Sequence, residues 1–253
     1  MSRQLQSKVV IVTGGTSGMG AAFARRAASE GATVVIGARD AARGEATTEE
    51  IGAMGGRAFF VRTDVTREEE LSRLVDFAVS EFGGLHGAFN NAGGGDNQRT
   101  LGETDAAFWH NMIEANLTSV FYSLKYEIPA IAASGGGGIV NNASTAGAVG
   151  DASMPAYTAA KHGVVGLTRS ASLDSAKEGV RVNALLTGLI DTPLWRTAVA
   201  AYPEIENLFL GQLPTGRAGS EEDVAAFTAF LLSDESTFIN GAALAVDGGF
   251  TAR

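Results

Sequence analysis

The chain has 253 residues, no cysteine, and 28 acidic against 19 basic side chains, a net charge of −9. No disulfide framework, iron–sulfur ligand set or thiol nucleophile can be built from it, and an acidic balance has the wrong sign for a nucleic-acid surface. The start of the chain lacks a charged-then-apolar signal pattern and no run approaches a membrane span, so a cytoplasmic protein without a membrane partner is expected.

Taken in order, the chain alternates strand and helix. Lys8–Val12 reads as a buried strand, and Thr13-Gly14-Gly15-Thr16-Ser17-Gly18-Met19-Gly20 follows at once. A helix then runs from about Met19 to Glu30. Strand, glycine turn and helix N-terminus together make a phosphate cradle, because glycines admit close backbone approach and the helix dipole favours negative charge. Thr33–Ile36 and Ala58–Val61 read as the second and third strands. Thr66-Arg67-Glu68-Glu69 reads as a capping box for a helix with the stripe Leu71, Leu74, Val75, Ala78 and Val79, stopped by Gly83-Gly84. Gly87–Phe89 is a short fourth strand.

A long helix is expected from near Asp105 to Ala133, with Trp109, Ile113, Leu117, Val120, Phe121 and Leu124 on one face. Asn116 falls inside that stripe, where it is a cost unless hydrogen-bonded. Ile139–Ala143 is the fifth strand. Ser144 lies just past its carboxyl end, the edge at which open parallel sheets bind ligands. Val180–Leu185 and Leu244–Val246 are the sixth and seventh strands. Residues 191–216, rich in Leu194, Trp195, Tyr202, Phe209 and Leu210, suit either a substrate lid or ordinary amphipathic packing. His86, His110 and His162 have no metal-ligand spacing, so no metal is expected. The fold expected is α/β: a single doubly wound, Rossmann-like domain over 1–253, with a parallel sheet of about seven strands and helices on both faces.

The helix after Ser144 carries the chemistry. Ser153 is placed to cap it, Pro155 suits its first turn, and Gly179 is a stop. Tyr157 and Lys161, four residues apart, share a face. An ammonium at ~4 Å in an effective dielectric of ~20 favours a phenolate by roughly 4 kcal/mol, about 3 pKa units. Tyr157 could then exchange a proton with a carbonyl or alcohol near neutral pH, with Ser144 holding the same oxygen. Alone, the pair is better read as a buried tyrosine beside a surface lysine, and the catalytic reading needs further motifs.

Thr13-Gly14-x-x-x-Gly18-x-Gly20, Asn90-Asn91-Ala92-Gly93, and Asn116, Ser144, Tyr157 and Lys161 in that order resemble the short-chain dehydrogenase/reductase family, classical type. The resemblance runs over essentially the whole chain, to Ala245-Val246-Asp247-Gly248-Gly249. It implies a carbonyl reductase or alcohol dehydrogenase, moving a hydride between a nicotinamide cofactor and a ketone or secondary alcohol. Asn116, Ser144, Tyr157 and Lys161 would be the catalytic four. Lys161 would also hold the nicotinamide ribose, and Asn116 a proton-relaying water.

The implied cofactor contacts are Gly14, Thr16, Ser17, Gly18, Met19 and Gly20 in the turn, and Asp64 and Val65 at the adenine. Asn91, Ala92 and Gly93 pass beside the cofactor, and Gly188, Ile190 and Thr192 lie about the carboxamide. Ala38 stands where the family usually has an acid, and Arg39 beside it favours NADP(H) by accepting a 2′-phosphate. Asp40 keeps NAD(H) open, since it could bind a ribose. Thr187-Gly188 replaces the usual Pro-Gly. Gly95, Ala146, Met154, Leu189 and Trp195, none charged, are expected around the reaction point and suit a neutral, partly hydrophobic substrate. A homotetramer built on the two long helices is implied, with Ala160, Gly163 and Gly166 for close packing. The alternative is a non-catalytic nicotinamide-binding sensor, against which the intact four argues.

Overall fold

The computed structural model describes residues 4–95 and 98–252, so the ends of the expected 1–253 span lie outside it. Its strands are β1 (Val9–Thr13), β2 (Thr33–Ala38), β3 (Arg57–Arg62), β4 (Gly87–Asn90), β5 (Gly137–Asn142), β6 (Val180–Thr187) and β7 (Ala243–Val246). They form one sheet in the order β3-β2-β1-β4-β5-β6-β7, and every pairing is parallel. The order reverses between β1 and β4, and the crevice outside their carboxyl ends is where such sheets bind ligands. The helices are α1 (Gly18–Ser29), α2 (Ala41–Ala53), α3 (Glu68–Phe82), α4 (Ala106–Ile113), α5 (Ser119–Ala133), α6 (Pro155–Ser175), α7 (Pro193–Ala201), α8 (Glu204–Leu210) and α9 (Glu221–Leu232).

The pleat divides the core in two. Val10, Val12, Val34, Ile36, Phe89 and Val140 pack with Phe23 and Ala27 of α1 and Val224 and Leu231 of α9. Their neighbours Val9, Ile11, Val35, Ala88, Ile139 and Val182 pack on the other face with Leu71 and Leu74 of α3, Val120 and Leu124 of α5, and Val164 of α6. Both faces are covered, which is why these strands read as continuous apolar runs. Each fully buried aliphatic or aromatic side chain contributes roughly 1.5–3 kcal/mol. Among the described residues no helix is long and apolar enough to cross a membrane.

Four local expectations are corrected. The long helix is broken: α4, capped by Asp105 accepting from Phe108 N at 2.8 Å, runs into a π turn at Glu114–Thr118 before α5. Thr66 does not cap α3, because its hydroxyl donates to the charged Asp64 carboxylate at 2.8 Å and Arg67 takes the cap position. Val79 is exposed, at the margin of the α3 stripe. Ser153 does not cap α6: the chain enters through Ser153 at φ 63°, which leaves Met154 in the position before Pro155.

Under the sheet lies a buried polar chain. Asn90 Nδ2 donates to Glu127 Oε2 at 2.8 Å and to Asn141 Oδ1 at 3.0 Å, and Asn141 Nδ2 donates to Thr168 Oγ1 at 2.9 Å. Burial pushes the Glu127 carboxyl up to about 7, against the pull of Asn90. Between its unfolded value of 4.5 and about 7 the folded chain holds a proton that the unfolded chain has lost. Stability therefore falls as pH rises through that window, by an amount on the order of 3 kcal/mol. Glu127→Gln should remove this slope. Urea titrations at about pH 5 and about pH 8 should show a smaller stability gap in the variant than in wild type. An equal gap would mean that Glu127 titrates near its ordinary value.

Candidate active site

The site begins at the turn after β1. Gly14 has φ 67°, where a side chain would be strained, and a Cβ on Gly20 would lie 2.4 Å from the Gly14 carbonyl oxygen. The turn therefore folds back onto the start of α1. That helix has no side-chain cap bond from Ser17 and no acid in its first turn, so its leading amides suit an anion. Thr13 completes the turn: its hydroxyl accepts from Asn91 N and Ala92 N, both at 3.1 Å.

A cleft of 840 Å³ opens over this edge. Of the expected cofactor residues it is lined by Gly14, Thr16, Ser17, Gly18, Met19, Arg39, Asp64, Val65, Asn91, Ala92, Gly93 and Thr192. The cradle and the cleft together fit a dinucleotide. Gly20 packs beneath the turn. Gly188 passes so close to Asp247 that a Cβ would sit 2.7 Å from its Cα. Ile190 is buried and bridges Gly219: Asp191 N donates to Gly219 O at 2.8 Å, and Gly219 N to Leu189 O at 3.0 Å.

At the far end of the cleft, Asp40 is already engaged. It caps α2 by accepting from Arg43 N at 3.1 Å, and its other oxygen lies 3.4 Å from Arg43 Nε. Arg39 is exposed and has no ion pair among the described residues. Burial works to raise Asp64, but hydrogen bonds from Thr66 and the Arg39 charge hold it below the ordinary carboxylate range.

The four expected catalytic residues meet at the carboxyl edge of β5. Ser144 has φ 63° and ψ 160°, a region nearly reserved for glycine that costs on the order of 1–3 kcal/mol. Tyr157 stands in the first turn of α6, with the Ser144 hydroxyl as a hydrogen-bonding neighbour. Lys161, 4% exposed, donates from Nζ to the Asn142 carbonyl at 2.8 Å. Asn116 sits in the π turn, fully buried; its Oδ1 accepts from Gly94 N at 3.2 Å, and its Nδ2 donates to Met112 O at 3.2 Å. A Cβ on Gly93 would lie 2.7 Å from Asn116 Oδ1 and 3.6 Å from Lys161 Nζ, so both side chains flank that glycine.

The electrostatics depart from the simple pairing argument. Burial raises the Tyr157 phenol above its ordinary value, the Asp151 charge adds to the rise, and only the Ser144 hydrogen bond opposes it. Burial also lowers Lys161 to about 8. Its ammonium is turned to the Asn142 carbonyl and stands 5.4 Å from the Tyr157 ring centre. The phenol is thus held protonated at neutral pH rather than brought towards 7.

The expected substrate wall is dispersed. Ala146 is buried, Met154 half-buried and Gly95 exposed. Trp195 packs edge-on to Phe209 at 5.5 Å and lines a 470 Å³ cavity with Arg196 and Leu210. Leu189 lines a separate 380 Å³ cavity with Val246 and Asp247. Asn142, whose main-chain carbonyl accepts from Lys161 Nζ, is a site residue that sequence reasoning passed over. It has no spacing signal, because it reaches the site through the fold.

A family model described as enoyl-(acyl carrier protein) reductase matches residues 14–251. The chain belongs to the short-chain dehydrogenase/reductase family. The cyclohexanol dehydrogenase of Acinetobacter sp. (strain SE19) is 42% identical over 253 residues, spanning 100% of this chain and 98% of that protein. The cis-4-hydroxycyclohexanecarboxylate dehydrogenase of Sinomonas cyclohexanicum is 44% identical over 254 residues and the full length of both. The solved structure of levodione reductase superposes with a TM-score of 0.93 at 33% identity, covering 98% of each chain. This short-chain dehydrogenase/reductase is an oxidoreductase of alcohols or ketones that uses a nicotinamide cofactor.

Proposed function

We propose that this enzyme interconverts a neutral cyclic secondary alcohol and its ketone with NADP(H), through Tyr157, Ser144, Lys161 and Asn116. The observation that carries this reading is Asn116 and Lys161 flanking Gly93 at the wall of the cleft, with Tyr157 one helical turn from the buried Lys161. The bound nicotinamide supplies the hydride acceptor or donor. Tyr157 gives its proton to the carbonyl oxygen in reduction and takes one from the alcohol in oxidation. Ser144 holds that oxygen. Lys161 favours the phenolate as it forms and reaches the cofactor ribose, and Asn116 anchors the relay that returns the proton.

Two features support the substrate class. The relatives named above act on six-membered carbocyclic alcohols. The Asp151 carboxylate beside Tyr157 would repel an anion at the reaction point, which sets cyclohexanol above a carboxylated analogue. The segment 191–216 acts as the substrate lid, since Thr192, Pro193 and Leu194 at its start already roof the cleft. Wild type should oxidise cyclohexanol with a higher kcat/KM than cis-4-hydroxycyclohexanecarboxylate, and Tyr157→Phe should lose roughly 100-fold or more in turnover while still binding cofactor. Because the phenol is held protonated, oxidation should accelerate as pH rises above neutral. A Tyr157→Phe enzyme with wild-type turnover would remove Tyr157 as the proton carrier.

NADP(H) is supported by Arg39, which lines the cleft with no ion pair among the described residues, and by Asp40, which is committed to the α2 cap. Wild type should show the higher kcat/KM with NADPH, and Ala38→Asp combined with Arg39→Ser should reverse it. Equal or better efficiency of wild type with NADH would assign the ribose contact to an acid instead.

The enzyme assembles as a homotetramer through α5 and α6. Phe121 on α5 and Leu173 on α6 are exposed; of the small residues expected to pack there, Ala160 is buried within the protomer and Gly163 packs on its own Leu117, while Gly166 has nothing within 4 Å of its Cβ direction among the described residues. Light scattering should give about four times the 26.0 kDa chain mass, and a stable active monomer would refute it.

A further inference from the structure

Thr187 ends β6, one residue before the close passage of Gly188 past Asp247. It is 5% exposed, and its hydroxyl donates to Asn142 Oδ1 at 2.8 Å. Asn142 Nδ2 in turn lies 3.3 Å from Asn91 Oδ1. Asn91 Nδ2 then meets the main-chain carbonyls of Thr13 at 3.2 Å and Gly14 at 3.5 Å. One hydrogen-bonded strap therefore crosses the carboxyl edge of the sheet, from the end of β6 over β5 and β4 to the glycine turn after β1.

The direction of every bond in the strap is forced. Main-chain carbonyls only accept, so Asn91 must turn its NH₂ to them and its oxygen to Asn142. Asn142 must then present its NH₂ to Asn91 and its oxygen to Thr187. That oxygen can be satisfied only by a donor. A threonine or serine hydroxyl supplies one, and valine, alanine or proline does not. The middle member also carries Lys161, whose Nζ donates to the Asn142 carbonyl at 2.8 Å.

We propose that Thr187 is a positioning residue for hydride transfer: by donating to Asn142 Oδ1 it holds the Asn142 side-chain amide, and through it the Asn91 amide that braces the glycine turn under the cofactor. The proposal rests on the catalytic reading above for its kinetic consequences, but not for its effect on cofactor binding. Without the hydroxyl, Asn142 keeps a buried unpaired oxygen, or flips and faces its oxygen to that of Asn91. Either outcome loosens the brace on the glycine turn, while the main-chain carbonyl that seats Lys161 stays in the sheet.

The test compares Thr187→Val, which keeps the branched shape, with Thr187→Ser, which keeps the donor. Thr187→Ala serves in place of valine should that variant fail to fold. Measurements are the NADPH dissociation constant by fluorescence titration, kcat, substrate KM and Tm. Losing this donor should weaken NADPH binding and lower kcat by roughly fivefold each, with substrate KM little changed. Thr187→Ser should recover both. Wild-type NADPH affinity and kcat in Thr187→Val, a fall in Tm alone, or a serine variant as impaired as valine would overturn the proposal. Tyr157→Phe, run alongside, separates the two readings. If it is inactive, a normal Thr187→Val counts against the strap alone. If it is active, the catalytic reading fails and NADPH affinity still decides the role of Thr187.

Discussion

Keeping the Lys161 ammonium out of water is the constraint on which the carboxyl edge depends. Removing such an ion from water costs several kcal/mol unless hydrogen bonds replace the lost solvent. The protein supplies a main-chain carbonyl at 2.8 Å, which cannot rotate away as a side chain could. That carbonyl belongs to the last residue of β5, held between β4 and β6 on either side. A rigid parallel sheet is thus used as a mounting for one charge, and burial, which lowers the Lys161 pKa to about 8, reflects the residual cost.

The residues around that charge bear backbone conformations a free chain would avoid. Ser144 and Ser153, both at φ 63°, bracket the loop between β5 and α6. Asn116 lies where the helix widens into a π turn. None of these is favourable locally. They persist because the elements on either side are buried and paired, so the core offsets what the site costs.

How much was legible in the sequence follows from how far apart the interacting residues lie along the chain. Strands flanked by helices on both faces must be apolar throughout, so the runs at Val9, Val34, Ile139 and Val182 could be read directly. Tyr157 and Lys161 share one helix, and their spacing alone puts them together. Thr187 and Asn142 are 45 residues apart on neighbouring strands, and no local pattern announces a bond between strand ends. Thr66 departs from its capping-box pattern for a related reason. It had two acceptable partners, and the nearby charged Asp64 outcompeted the helix amides. The phenol's ionisation follows its burial, a property of the fold that a four-residue step does not carry.

The bridge between Ile190 and Gly219 has an evolutionary consequence. Two main-chain bonds tie the chain together where it leaves the sheet region and where it returns, so the intervening loop is already closed by its own ends. The cost of closing such a loop grows only slowly with its length. Beyond Thr192, Pro193 and Leu194, which roof the cleft, the insert is free to lengthen, shorten or change sequence while β6 and the glycine turn stay in place. The dinucleotide walls have no such freedom, because they are gathered from the ends of β1, β2, β3 and β4. A lineage built on this plan can vary the insert as one cassette, whereas the dinucleotide walls can change only residue by residue at the strand ends that carry them.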